Sequence, residues 1–178
     1  ISCVYAFELP SETYAVAFGA LAVALGFSTL FTGDAAIKTR LPTGFTDALR
    51  YAAMAATGLS ALVAYAVIEA ATGFDATYAI HTRWFVAAAF ALILAYYALD
   101  AFAHARREAV FGAAVAAFGA GIAVVYGLDV SVEYYAFGLI APALAITLLA
   151  GAPPAWTQRL APTWRADVML MARAAVAF

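Results

Sequence analysis

Five ionisable side chains stand in or beside long apolar stretches of this sequence: Glu69, His81, Arg83, Asp100 and Arg173. In a low-dielectric setting a charge is costly unless it is paired or faces a polar interior, so each is a candidate for handling an ion. Glu69, His81 and Arg83 form the most informative set, because they fall toward the same end of consecutive apolar stretches and can gather into one polar cluster. A Glu69 to Arg83 pair would neutralise both charges. The same pair serves equally well to fix helix packing or to sit solvated at the surface. Asp100 and Arg173 read as interfacial residues whose polar tips reach water. Tyr65 and Trp84 are large aromatics, read first as packing or interfacial-belt residues. The single cysteine, Cys3, cannot form an intrachain disulfide, and no Cys/His spacing suits a metal. Without paired carboxylates, a nucleophile with its base, or a phosphate loop, an enzyme is not expected.

The elements that must position these residues follow from composition. Hydrophobic residues make up 67% of the chain and charged residues 11%, with a mean hydropathy of +0.92. A soluble domain would run nearer ~45–50% and ~25%, so an integral membrane protein is expected. Nine basic residues against eleven acidic ones leave a net charge of -2, which gives no basic field for nucleic acid. A spanning helix needs ~20 residues, and the apolar stretches predict spans at about 13–33, 51–72, 77–99, 110–128 and 134–150, with a partial sixth at 167–178. Uninterrupted runs of this length favour helices over barrel strands, which alternate. The expectation is one all-α transmembrane domain over residues 1–178, without a separate soluble unit. The sequence starts at Ile1 and stops inside the sixth helix, which suggests an incomplete record, and no basic n-region marks a signal peptide.

Gly33-Asp34, Thr72-Gly73, Gly127-Leu128-Asp129 and Gly151 supply stops and turns between spans. Pro153, Pro154 and Pro162 mark a surface link before the sixth. Lys38, Arg40, Arg50, Arg106, Arg107, Arg159 and Arg165 all fall in loops on one side. The other side carries Arg83 among Glu8, Glu12, Asp75, Asp129 and Glu133. By the positive-inside rule the N-terminus is outside, with the chain in the plasma membrane. Ala and Gly are abundant throughout, as close helix packing in lipid requires.

Several patterns, taken in order, resemble the microbial (type I) rhodopsins, in a divergent haloarchaeal-like form. Arg50-Tyr51, followed by Ala64-Tyr65-Ala66-Val67-Ile68, resembles the family's second helix. Trp84 matches the tryptophan of the third helix, and Arg106-Arg107-Glu108 the short basic turn into the fourth. Glu133-Tyr134-Tyr135-Ala136-Phe137-Gly138 resembles the start of the fifth. The resemblance covers roughly residues 13–178 and implies a seven-helix architecture with retinal as cofactor. Tyr65, Trp84 and Phe137 would wall the chromophore, and Arg83, His81 and Glu69 would set its electrostatics.

Departures from the pattern are specific. Where the family's third helix reads Arg-Tyr-x-Asp-Trp, this chain has Ile80-His81-Thr82-Arg83-Trp84, so Arg83 replaces the counterion aspartate. Ala87-Ala88-Ala89 replaces Thr-Thr-Pro, and Leu94 takes the internal proton-donor position. An arginine beside a protonated Schiff base would repel it and lower its pKa. The family's retinal hangs on a seventh-helix lysine, whereas the one lysine here is Lys38, in a loop. The expected function is light-driven ion transport or photosensory signalling. The alternative is a non-photoactive helical subunit that binds another membrane protein or a lipid, using small residues such as those of Ala113 to Gly121. A transporter with a midplane site would need broken helices, and Pro142 is the one internal breaker. The bilayer is the assured partner; a homo-oligomer or membrane partner fits as well.

Overall fold

A computed structural model describes residues 10, 12–32, 42–71, 76–151 and 163–176, and their side chains except those of 69–71, 76–81 and 175–176. Among the described residues six α-helices follow in order: α1 (Glu12–Thr32), α2 (Phe45–Ala71), α3 (Ala76–His104), α4 (Arg107–Gly127), α5 (Tyr135–Ala150) and α6 (Trp164–Val176). A single 3-10 turn, Val132–Tyr134, leads into α5, and there is no strand among the described residues. Among the described residues five segments are long and apolar enough to cross a membrane: Glu12–Thr32, Phe45–Ile68, Thr82–His104, Arg107–Gly127 and Val132–Ala150. The chain is therefore an all-helical membrane protein. Cys3, Glu8, Lys38, Arg40, Asp75 and Arg159, with the prolines of the last link, lie outside the described residues.

α1 lies between α2 and α3, α3 packs most extensively on α4, and α4, α5 and α6 close a second group. The packing principle is a seam of small residues. On α1 the buried positions are Glu12, Ala15, Gly19, Ala22, Gly26 and Thr29, alternating steps of three and four. On α3 the same steps give Thr82, Val86, Ala89, Ile93, Tyr96 and Asp100. That spacing keeps one stripe facing a neighbour along a left-handed crossing. Outward positions carry the bulk instead: Phe27, Phe31, Leu62 and Leu148 are exposed, as lipid contact permits.

The large residues of α3 sit over the glycines of both neighbours. A Cβ on Gly26 would stand 2.7 Å from the Tyr96 ring, and one on Gly119 would stand 2.6 Å from the Phe90 ring. Between α4 and α5 the approach is backbone to backbone: a Cβ on Gly121 would collide with the Gly138 carbonyl. Polar pins lie across the same seams. The buried Ser60 hydroxyl donates to the Ala15 carbonyl at 2.7 Å, joining α2 to α1.

Helix ends differ from the sequence expectation by a few residues, each with a local cause. α2 begins at Phe45 because Gly44, at φ +83, closes a turn in which the Phe45 N–H donates to the Pro42 carbonyl at 3.1 Å. An Arg50–Asp47 contact of 3.2 Å then supports the first turns. α3 runs on past Leu99 to His104, where the turn at Ala105 stops it. Only Ala105 and Arg106 join α3 to α4. Ala105 adopts φ 52 and its N–H donates to the Ala101 carbonyl at 3.1 Å, a left-handed helix stop made without glycine.

Two substitutions test this packing. Ala105→Gly relieves a left-handed alanine and should raise stability by about 1 kcal/mol. Gly26→Val drives a branched side chain into Tyr96 and should lower it by about 1–3 kcal/mol. Thermal unfolding in detergent, followed by circular dichroism, measures both shifts.

Candidate functional site

The end of the bundle that carries the first turn of α1 and the last turn of α4 holds the most organised group of polar and aromatic side chains. Arg83, near the start of α3, forms an ion pair with Asp129, just past α4. Its guanidinium also stands over the Tyr126 ring, 4.9 Å from the centroid. Asp129 occupies φ 54, a left-handed position that a short polar side chain tolerates. Its N–H donates to the Tyr126 carbonyl at 3.3 Å, so the turn that ends α4 is also what aims the carboxylate. The Arg83 Nε is buried without a hydrogen-bond partner among the described residues.

Directly beside this pair lies an apolar hollow of about 410 Å³ between α2, α3, α4 and α5, lined by Ile68, Val86, Phe90, Gly119, Ile122, Ala123, Tyr126 and Tyr135. Tyr126 is shared, so the ion pair and the hollow are one construction. Gly119 belongs to it for a steric reason: the missing Cβ is what lets the Phe90 ring lie against α4. The volume falls within the ~300–1,000 Å³ usual for small-molecule sites, and an apolar wall with a few polar groups at one edge is their usual chemistry.

The residues nominated from sequence are placed as follows. Arg83 is in the cluster, with the Asp129 carboxylate as its partner. The side chains of Glu69 and His81 lie outside the described residues. Trp84 rests on the α4 backbone, its ring 3.4 Å from where a Gly127 Cβ would stand. It is 46% exposed, and Tyr65 and Phe137 are 61% and 60% exposed. All three therefore present ring surface outward rather than lining the hollow. Phe137 stacks on Tyr134 at 6.1 Å.

No family model matches this chain, and no curated protein or solved structure matches it either. The site therefore rests on its own geometry.

Two further polar groups lie at the other end of the bundle. The half-buried His104 approaches Asp100, which is nearly fully buried, while the Tyr96 hydroxyl reaches the Arg50 carbonyl at 3.5 Å. The 2.9 Å contact between His104 Nδ1 and Asp100 lacks hydrogen-bond alignment. Arg107 of α4 grips Asp167 of α6 through two bonds, Nε at 2.9 Å and Nη2 at 2.8 Å, and the Thr163 hydroxyl donates to the same carboxylate at 3.0 Å. This clamp anchors the start of α6.

Phe90, Tyr126, Tyr135 and Asp129 were not singled out by sequence reasoning. A usable signal existed for Asp129. Arg83 lies 21 residues before His104, and Leu128 lies 21 after Arg107, so a tight hairpin sets Arg83 level with the turn that contains Asp129.

Because the Asp129 side chain is 61% exposed, the pair should contribute little to stability. A double-mutant cycle with Arg83→Gln and Asp129→Asn is expected to give a coupling energy below about 1 kcal/mol. Equilibrium unfolding of the four proteins reads it directly.

Proposed function

We propose that this chain is a retinal-binding membrane protein of the microbial opsin type, acting in light-driven ion transport or photosensory signalling. The observation that carries this reading is the apolar hollow between α2, α3, α4 and α5, one of whose walls, Tyr126, also lies under the Arg83 guanidinium. Its walls suit the apolar body of a polyene, and Phe90, Tyr126 and Tyr135 supply aromatic surface for it. The fit extends to the polyene and not to its covalent attachment, since the one lysine, Lys38, lies outside the described residues and belongs to no described span. No step is therefore derived through the chromophore.

What this chain's own residues would do is narrower. An unpaired arginine at the counterion position would repel a protonated Schiff base, but Asp129 offsets that charge, so the Arg83 edge carries no net charge. His81 and Glu69 remain part of the proposed electrostatic set by their place at the same end of α3 and α2. Tyr65, Trp84 and Phe137, which the resemblance nominates as chromophore walls, are not among the residues that line this hollow. The proposed orientation keeps the N-terminus outside, by the distribution of Lys and Arg.

A second reading is a non-photoactive helical subunit that binds another membrane protein or a lipid, a role that needs no lysine. One experiment separates the two. The full-length native protein, purified and incubated with all-trans retinal, is expected to develop a visible absorption band that hydroxylamine bleaches. Arg83→Asp should shift that band markedly. A folded protein that develops no band would remove the photochemistry and leave the second reading.

A further inference from the structure

The last turn of α3 holds two titratable side chains that the site above does not use. Asp100 continues the buried stripe of α3 and is 9% exposed, and His104, one turn further on, is 25% exposed. Nδ1 of the imidazole lies 2.9 Å from a carboxylate oxygen of Asp100. That is hydrogen-bond distance, yet Nδ1 is buried without a hydrogen-bond partner among the described residues. The pair has the separation of a bond and not its alignment. A neutral imidazole with its proton on Nε2 accounts for this, because Nδ1 then offers a lone pair to a carboxylate that can only accept. The two acceptors turn aside from one another.

We propose that Asp100 and His104 form a proton-operated latch on the last turn of α3, unlatched in the geometry described and closed when His104 takes up a proton from water. The proton makes Nδ1 a donor, and a turn of the ring aligns it with an oxygen already 2.9 Å away. The closed pair offsets a carboxylate whose burial is otherwise costly. A cation is also favoured at a helix C-terminus, and His104 is the last residue of α3. It ends the span Thr82–His104 as well, which places it beside the aqueous phase. The surrounding charges leave this role to His104. On α3 itself the Tyr96 hydroxyl donates to the Arg50 carbonyl at 3.5 Å. On α2 the Arg50 guanidinium is held 3.2 Å from Asp47. At the start of α4, Arg107 is held by Asp167, and Glu108 is exposed. α1 presents neutral hydroxyls at this end, Thr29 and Thr32, each bonded to a carbonyl of its own helix. Arg106, on the link, makes no ion pair with Asp100, and among the described residues only His104 comes within ion-pair distance of it. The latch spans the turn that Ala105 stops at φ 52, so closing it stiffens α3 just before the two-residue link to α4.

The test follows amide hydrogen exchange of the full-length protein in phosphatidylcholine bicelles from about pH 5 to about pH 8, the range in which histidine changes charge. The Ala105 amide, which donates to the Ala101 carbonyl across this turn, is the reporter. After correction for intrinsic exchange, its protection should be roughly two- to thirtyfold higher at the acid end. His104→Gln and Asp100→Asn should each flatten that dependence, with circular dichroism confirming that both variants are folded. Protection that does not change with pH in the native protein overturns the inference. So does a pH dependence that survives His104→Gln, which would belong to another group, or one that survives Asp100→Asn, which would leave the imidazole acting through the helix end alone. None of these outcomes depends on whether retinal binds.

Discussion

Lipid tails are as apolar as leucine, so a helix gains nothing from hiding its hydrophobic residues, and what holds this bundle is how closely its backbones approach. Glycine and alanine on α1, α4 and α5 set that distance, and the rings of α3 fill the space they leave. Tyr96 lies over Gly26 on one side of α3 and Phe90 over Gly119 on the other. α3 is therefore the member on which both halves of the bundle are built. The candidate site inherits its shape from this arrangement, since the same Phe90 ring is a wall of the hollow.

Polar contacts act at the ends rather than through the middle. Arg83 with Asp129 closes one end of the α3–α4 pair, and Arg107 with Asp167 fastens α6 at the other. Between them the described seams carry hydroxyl to carbonyl bonds such as Ser60 to Ala15, which satisfy polar atoms without introducing charge. This division follows from cost: a hydroxyl bonded to a carbonyl is tolerated in the apolar interior, while an ion pair is cheaper near water.

The spans were legible because length and hydropathy alone identify them, and the Gly127-Leu128-Asp129 stop was legible as turn chemistry. Helix ends were less so. Asp100 read as an interfacial residue that ends the third span, yet α3 continues one turn beyond it to His104. The buried faces were not legible, because the seam of α1 differs from its lipid face in side-chain size and not in polarity, and alanine is common on both. For the site, Arg83 was found because a cation in an apolar stretch is conspicuous. Its partner lay in a loop among several acidic residues, and only the two-residue link between α3 and α4 determines which of them it meets. Phe90, Tyr126 and Tyr135 carry no distinguishing signal among the ten tyrosines and thirteen phenylalanines of the chain.

The link at Ala105 and Arg106 also has a mechanical consequence. Three virtual bonds of about 3.8 Å join His104 to Arg107, so those two helix ends stay within about 11 Å of each other whatever the rest of the bundle does. Packed helices already stand ~8–10 Å apart, and the link leaves almost no slack. α3 and α4 thus behave as the arms of tweezers with a fixed pivot. Displacement between them grows with distance from the pivot and is greatest at the far tips, where Trp84 rests on Gly127 and Arg83 holds Asp129. Work done at that tip has the full length of two helices as its lever arm.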